Sequence, residues 1–234
     1  MTFKSGEVDI DFVKIYGVAN EILATSSVIE EFPFKFSKLI KEQTDIRLCS
    51  YAKALNKYNV PVEELGSESA ELVEMDGAYI IFYNNEEPEY RIRFSIGHEL
   101  GHYLLGHKMN LTKDDPLYQK QEVEANCFAA QLVMPEQILR QASKRGKMIN
   151  IDFIMKSFDV SEEAAEKRRR TLANYDYEWK KRAEKEYDDI ILMRFAPFIN
   201  KIAPRKTNSY YDYDYEDSRQ RERNSWLDTR TRWD

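Results

Sequence analysis

Histidine is almost missing from this chain. Three occur in 234 residues, and all three fall between His98 and His107. Cysteine is scarcer still. Cys49 and Cys127 stand far apart with no CxxC spacing, which leaves no disulfide framework and two reduced thiols as the expectation. No apolar run approaches the roughly 20 residues of a membrane-spanning helix. The stretch after Met1, "TFKSGEVDIDF", has no basic segment leading into an apolar one, so no signal peptide is expected. A cytoplasmic protein with no membrane partner is the expectation. Positive charge is in deficit, with a net charge of −6. Such a chain has no general attraction for nucleic acid, and direct nucleic-acid binding is not expected. No internal repeat is visible. What remains is a globular balance, 42% hydrophobic and 32% charged, long enough for one core with appendages.

The hydrophobic period changes along the chain. Residues 8–24 place Ile15, Val18, Ile22 and Leu23 at helical spacing, and 34–41 read as a second short helix. Residues 45–51 read as a strand, and 52–59 as a helix stopped before Pro61. Residues 69–75 alternate with period two. Asp76-Gly77 then signals a hairpin, and 78–84 return as an apolar, β-branched strand. The period is helical again from Arg91 through His107 and over 121–134, with shorter helices at 136–143 and 151–158. Ser161 is placed to cap a helix beginning "EEAAEKRRRTL". The stretch 177–189 is charged and suits a solvated helix, while 190–199 is apolar and suited to dock on the body. From Arg205 the chain is polar, and a mobile tail is expected.

Within the histidine stretch, His98-Glu99-Leu100-Gly101-His102 is an HExxH sequence. On a helix, positions i and i+4 share one face, so both imidazoles can reach one metal ion at about 2.0–2.1 Å. Glu99 projects beside that face and can take a proton from a water that the metal activates. This is the arrangement for metal-assisted peptide hydrolysis. A third protein ligand is needed. His107 lies five residues past His102 and about 140° off the ligand face, so its expected role is to close the helix end. The helix over 121–134 offers Glu122 and Glu124 instead. Glu122 shares the small, apolar face with Ala125, Asn126 and Ala129. Glu124 lies about 200° around, beside Gln131. Glu122 is therefore the expected metal ligand, with Glu124 as the fallback. Asn126, one turn on, is placed to hydrogen-bond a ligand histidine.

The stretches "AYIIFYNNEEPEYRIRFSIGHELGHYLLGH" and "EVEANCFAAQLVMP" together resemble the ImmA/IrrE family of metallo-endopeptidases. With "CSYAKALNKYNVPVEELG" and "FDVSEEAAEKRRRTL", the resemblance spans about residues 40–173. It implies an α+β fold: a mostly helical, zincin-like core with about three strands before the HExxH helix, plus a helical C-terminal extension. The division expected is an N-terminal helical segment (1–43), a metallopeptidase core (44–175), the extension (176–204) and the tail (205–234). The resemblance also implies one Zn²⁺ per chain, with Mn²⁺ as an alternative, held by His98, His102 and Glu122, with Glu99 as the catalytic base. Asn126 falls on the position that orients a ligand. Members of the family cleave a helix-turn-helix repressor and relieve transcriptional repression. A repressor of that kind, from a mobile element, prophage or stress response, is the protein partner implied.

Three further readings are kept. Residues 151–172 have a helix-turn-helix rhythm with Lys167, Arg168, Arg169 and Arg170, so a DNA- or protein-binding regulator is the alternative function. A non-catalytic structural zinc protein is disfavoured, because such sites close with four ligands. The strand over 78–84 is expected to offer an edge to which an extended substrate could pair. No residue for stabilising the oxyanion can be named from the sequence.

Overall fold

A three-stranded sheet and the helix that follows it set the frame. The computed structural model describes residues 10–109, 111–174, 185 and 187–205, and its strands and helices all lie in the unit that ends at Ala203. Strands β1 (Arg47–Ser50), β2 (Ala70–Met75) and β3 (Ala78–Tyr83) lie in the order β1-β3-β2. β1 pairs parallel with β3 and β2 pairs antiparallel. Asp76-Gly77 forms the expected two-residue turn, both with positive φ.

β3 is the central strand, which corrects the expectation that it offers an edge. Its continuous apolar run explains why. Ile81 joins the main core while Ile80 and Phe82 join a smaller core with Cys49, Tyr51 and Ala54. A strand buried on both faces reads as unbroken hydrophobic sequence. The edge strands are β1 and β2, and the burial of β2 alternates as its sequence does.

Ten helices are present among the described residues. α1 (Phe12–Thr25), α2 (Phe36–Gln43) and α3 (Tyr51–Tyr58) begin the chain. α4 (Glu89–Leu105) carries the HExxH residues and packs on β2, β3 and α5 (Pro116–Val133). α5 starts earlier than its hydrophobic period suggested. Asp115 accepts a hydrogen bond from the Leu117 N–H, and Pro116 occupies the first turn, a start signal lying in what reads as a polar connection. α6 (Glu136–Lys144), α7 (Ile151–Phe158) and α8 (Glu162–Asn174) come next, and Ser161 Oγ accepts from the Ala164 N–H as its sequence implied.

α9 (Asp188–Arg194) and α10 (Ala196–Ile202) dock on the body, as the apolar stretch predicted. Phe195 and Phe198 pack with Phe32 in a cluster that also holds Phe158. Arg194 donates to the carbonyl oxygens of Ala24, Ser26 and Ile29, tying α9 to the end of α1. Most of the charged stretch 177–189 and nearly all of the expected tail lie outside the described residues. Among the described residues no helix is long and apolar enough to cross a membrane.

Candidate active site

α4 and α5 pack face to face because their seam is small. A Cβ on Gly101 would come within 2.9 Å of Phe128 and 3.3 Å of the Ala125 backbone. Only glycine permits this approach. It brings the polar end of α5 against the histidines of α4.

The ligand atoms of His98, His102 and Glu122 all lie within 4.8 Å of one another. His98 Nε2 is 2.9 Å from His102 Nε2. The two Glu122 oxygens lie 3.5 Å from His98 Nε2 and 3.4 Å from His102 Nε2. Donors around a tetrahedral ion with 2.0–2.1 Å bonds stand about 3.3 Å apart. The group therefore has the spacing of three corners of a zinc-sized tetrahedron. Its chemistry, two imidazoles and a carboxylate, suits a divalent ion of borderline softness and leaves a fourth corner for water.

Proton positions point the same way. Asn126 Nδ2 donates to the Glu122 carbonyl at 2.7 Å. Asn126 Oδ1 then faces His98 Nδ1 at 3.3 Å and has to accept. The neutral His98 ring thus carries its proton on Nδ1 and turns a bare lone pair toward Glu122. Acceptors that converge without a donor call for a cation. Burial disfavours a charged His98, but the hydrogen bond that the charged ring would donate to Glu122, with the charges of Glu99 and Glu122, raises its pKa overall. Only a doubly protonated His102 or His98 ring can donate to Glu122, and those hydrogen bonds hold its carboxyl well below the usual carboxylate range.

Glu99 sits beside this group, as its place in the motif predicted. Its Oε2 accepts from the Leu72 N–H of β2 at 2.9 Å. Burial pushes its pKa up, against the pull of His98 and His102. An upward shift suits a residue that must both take and return a proton. The cleft around these residues encloses about 640 Å³. β2 from Ala70 to Glu74 forms one wall, and Lys108, Met109 and Tyr118 line another part. Glu124, the fallback ligand, is not in the group. It lies 3.1 Å from His107 Nε2 and 3.7 Å from Lys120 Nζ.

The match to a known family agrees with this geometry. The family model of the IrrE N-terminal-like domain, Peptidase_M78, matches residues 55–170. Residues 55–170 are a metallopeptidase domain of the ImmA/IrrE family. The IrrE-like domain begins inside α3 and ends inside α8, so it contains α4, α5 and every residue of the His98–His102–Glu122 group. No curated protein matches the chain.

Three features of the IrrE-like site escaped the sequence. The Leu72 N–H comes from a strand 27 residues before Glu99, and backbone groups leave no trace in residue types. Tyr118 lies one turn before Glu122, and burial together with the Glu122 charge raises its pKa. The Asp-Pro start of α5 was the signal that could have placed Tyr118 on the ligand helix. The third feature is the contact of His107 with His102, at 3.0 Å between their Nδ1 atoms.

The basic run of α8 is divided: Arg169 is exposed, while the others are buried or paired with acidic neighbours. Arg168 is 2% exposed, Lys167 lies 2.7 Å from Glu163, and Arg170 pairs with Glu166.

Proposed function

We propose that this chain is a zinc-dependent endopeptidase whose substrate is a helix-turn-helix repressor. The observation that carries the peptidase reading is the convergence of His98, His102 and Glu122 beside Glu99 in a cleft walled by an open strand edge. His98, His102 and Glu122 would hold the ion. Bound there, Zn²⁺ supplies Lewis acidity, lowering the pKa of water toward 7 and polarising a peptide carbonyl. Glu99 takes the proton of the attacking water and returns it to the leaving amine. The Leu72 N–H keeps the Glu99 carboxylate turned to the cleft. Apart from the Leu72 N–H that Glu99 takes, the outer edge of β2 offers backbone hydrogen bonds to an extended substrate segment, and this strand addition fixes the scissile bond over the metal group. Tyr118 keeps its phenolic proton at neutral pH, so it can donate to the negative charge developing on the carbonyl oxygen. The repressor as substrate, and release of transcriptional repression as the result, rest on family membership. One open coordination position favours catalysis over a purely structural ion.

The test is cleavage of the helix-turn-helix protein encoded beside this gene, using Zn²⁺-loaded protein, with Mn²⁺ as a second ion. Cleavage is expected to stop on chelation. Glu99→Gln should lower the rate by about 10²–10⁴-fold, the usual contribution of a general base, while metal stays bound. Undiminished cleavage by the Glu99→Gln protein defeats the mechanism. An intact neighbour beside cleaved generic peptides defeats only the substrate assignment.

A further inference from the structure

We propose that His107 and Glu124 act as positioning residues for His102, holding its ring proton on Nδ1 so that Nε2 stays free for the ion. Helical spacing excludes His107 from the ligand face. Gly106, however, takes the left-handed conformation (φ 70°) at the end of α4. The chain folds back, and the His107 N–H donates to the His102 carbonyl at 3.0 Å. The His107 ring then meets His102 from the side opposite the cleft, Nδ1 to Nδ1 at 3.0 Å. Its other nitrogen, Nε2, is 3.1 Å from Glu124 Oε2.

The His107 side chain is 4% exposed and that of Glu124 13%. Their hydrogen bonds must therefore be made within the protein. A carboxylate only accepts, so His107 Nε2 carries the proton shared with Glu124. His107 Nδ1 is then the acceptor, and the proton between the two rings belongs to His102 Nδ1. A neutral His102 with its proton on Nδ1 has a bare Nε2, the atom that faces His98 and Glu122. Each metal-binding histidine thus has its own anchor: the Asn126 amide for His98 and the His107–Glu124 pair for His102. Both anchors set the tautomer and the ring orientation that a metal needs.

This role for His107 rests on the metal-binding reading of the His98–His102–Glu122 group. The chain holds only three histidines, so ¹⁵N-histidine labelling gives a spectrum of three rings, all at this site. In the Zn²⁺-loaded full chain, His107 is expected with its proton on Nε2, and His98 and His102 with theirs on Nδ1. Zn²⁺ affinity, measured by competition with a chromophoric chelator, should fall about 10–100-fold in His107→Phe, the usual cost of removing such a partner. His107→Gln should recover most of it, because the amide oxygen can accept from His102 while its NH₂ donates to Glu124. A His107 proton on Nδ1 in the wild-type spectrum overturns the inference, and that measurement needs no variant to fold. Wild-type affinity in a folded His107→Phe protein overturns it as well. A wild-type chain that takes up no Zn²⁺ overturns the metal reading beneath it, and the inference with it.

Discussion

α5 carries two glutamates two residues apart, and they belong to different worlds. Glu122 faces the cleft, where its oxygens meet the bare nitrogens of His98 and His102. Glu124 faces inward beside His107 and Lys120. The imidazoles hold Glu122 well below the usual carboxylate range, whereas burial pushes Glu124 up. The contrast runs along the whole helix. Further down on the Glu124 side, Gln131 lies under α1, where Asn20, Gln137 and Arg168 saturate its amide. The lesson concerns satisfaction rather than burial. On the inner face every acceptor finds a donor within the protein. On the cleft face the Nε2 atoms of His98 and His102 converge on the Glu122 carboxylate, and a partner from outside completes them.

The sharpest break of that comparison is Glu122→Gln. Four-ligand zinc sites gather an apparent ~10–16 kcal/mol, so one ligand carries about 2.5–4 kcal/mol. The substitution should weaken Zn²⁺ binding by about 10²–10³-fold in calorimetry and leave the melting temperature of the metal-free protein nearly unchanged. Equal Zn²⁺ affinity in both proteins would place the ion elsewhere. The inner face should respond in the opposite sense. Arg168 donates to the Met134 carbonyl at 2.9 Å, to the Tyr16 hydroxyl at 3.3 Å and to Gln131. Arg168→Met removes the donor that these three buried acceptors share, at about 1–3 kcal/mol for an acceptor left without another partner. Urea unfolding should show a net loss of about 2–4 kcal/mol with Zn²⁺ affinity kept. A variant that loses metal instead would mean the two faces are coupled.

That inner face is where the sequence was hardest to read. Gln131 sits at 0% exposure, although the residues alone put it with Glu124 on a polar, outward side of the helix. Its cover, α1, lies more than a hundred residues upstream, and buried amides paired with each other look like surface amides in a linear sequence. The cleft face was legible for the reason the inner one was not. His, Glu and Asn at positions that share a helical face have few other purposes, and Ala125 and Ala129 marked the close seam. The open edge was misplaced for a similar reason. Which strand is central depends on β1 inserting beside β3 in parallel, and no local pattern encodes that choice. The helices at 136–143, 151–158 and 162 onward needed only caps, period and proline, and they stand within one or two residues of expectation.

The seam between α4 and α5 tests how tightly the cleft face depends on packing. Gly101→Ala puts a methyl group 2.9 Å from the Phe128 ring, with the Ala125 backbone only 3.3 Å away. Phenyl rings can shift, but helix backbone cannot without moving α5. Overpacking of this kind costs about 1–3 kcal/mol. Because α5 also carries Glu122, Zn²⁺ affinity should fall together with stability, unlike in either substitution above. Loss of stability with unchanged affinity would show that α5 slides without disturbing its ligand.

The smallest expected effect isolates one hydrogen bond. Asn126 is exposed, so its removal creates no cavity and leaves no buried group without solvent. Its amide nevertheless links the Glu122 carbonyl at 2.7 Å to His98 Nδ1 at 3.3 Å. Asn126→Ala frees the His98 ring to rotate and to exchange tautomers, while water replaces the lost partner. Zn²⁺ affinity should fall by about tenfold, the lower end of what such partners contribute, with the melting temperature of the metal-free protein unmoved. Asn126→Asp keeps the acceptor facing His98 Nδ1 and adds a negative charge, so it should hold affinity at or above the wild-type value. If alanine and aspartate behave alike, His98 takes its orientation from packing against α5, and the asymmetry between the two faces of that helix narrows to its ligand alone.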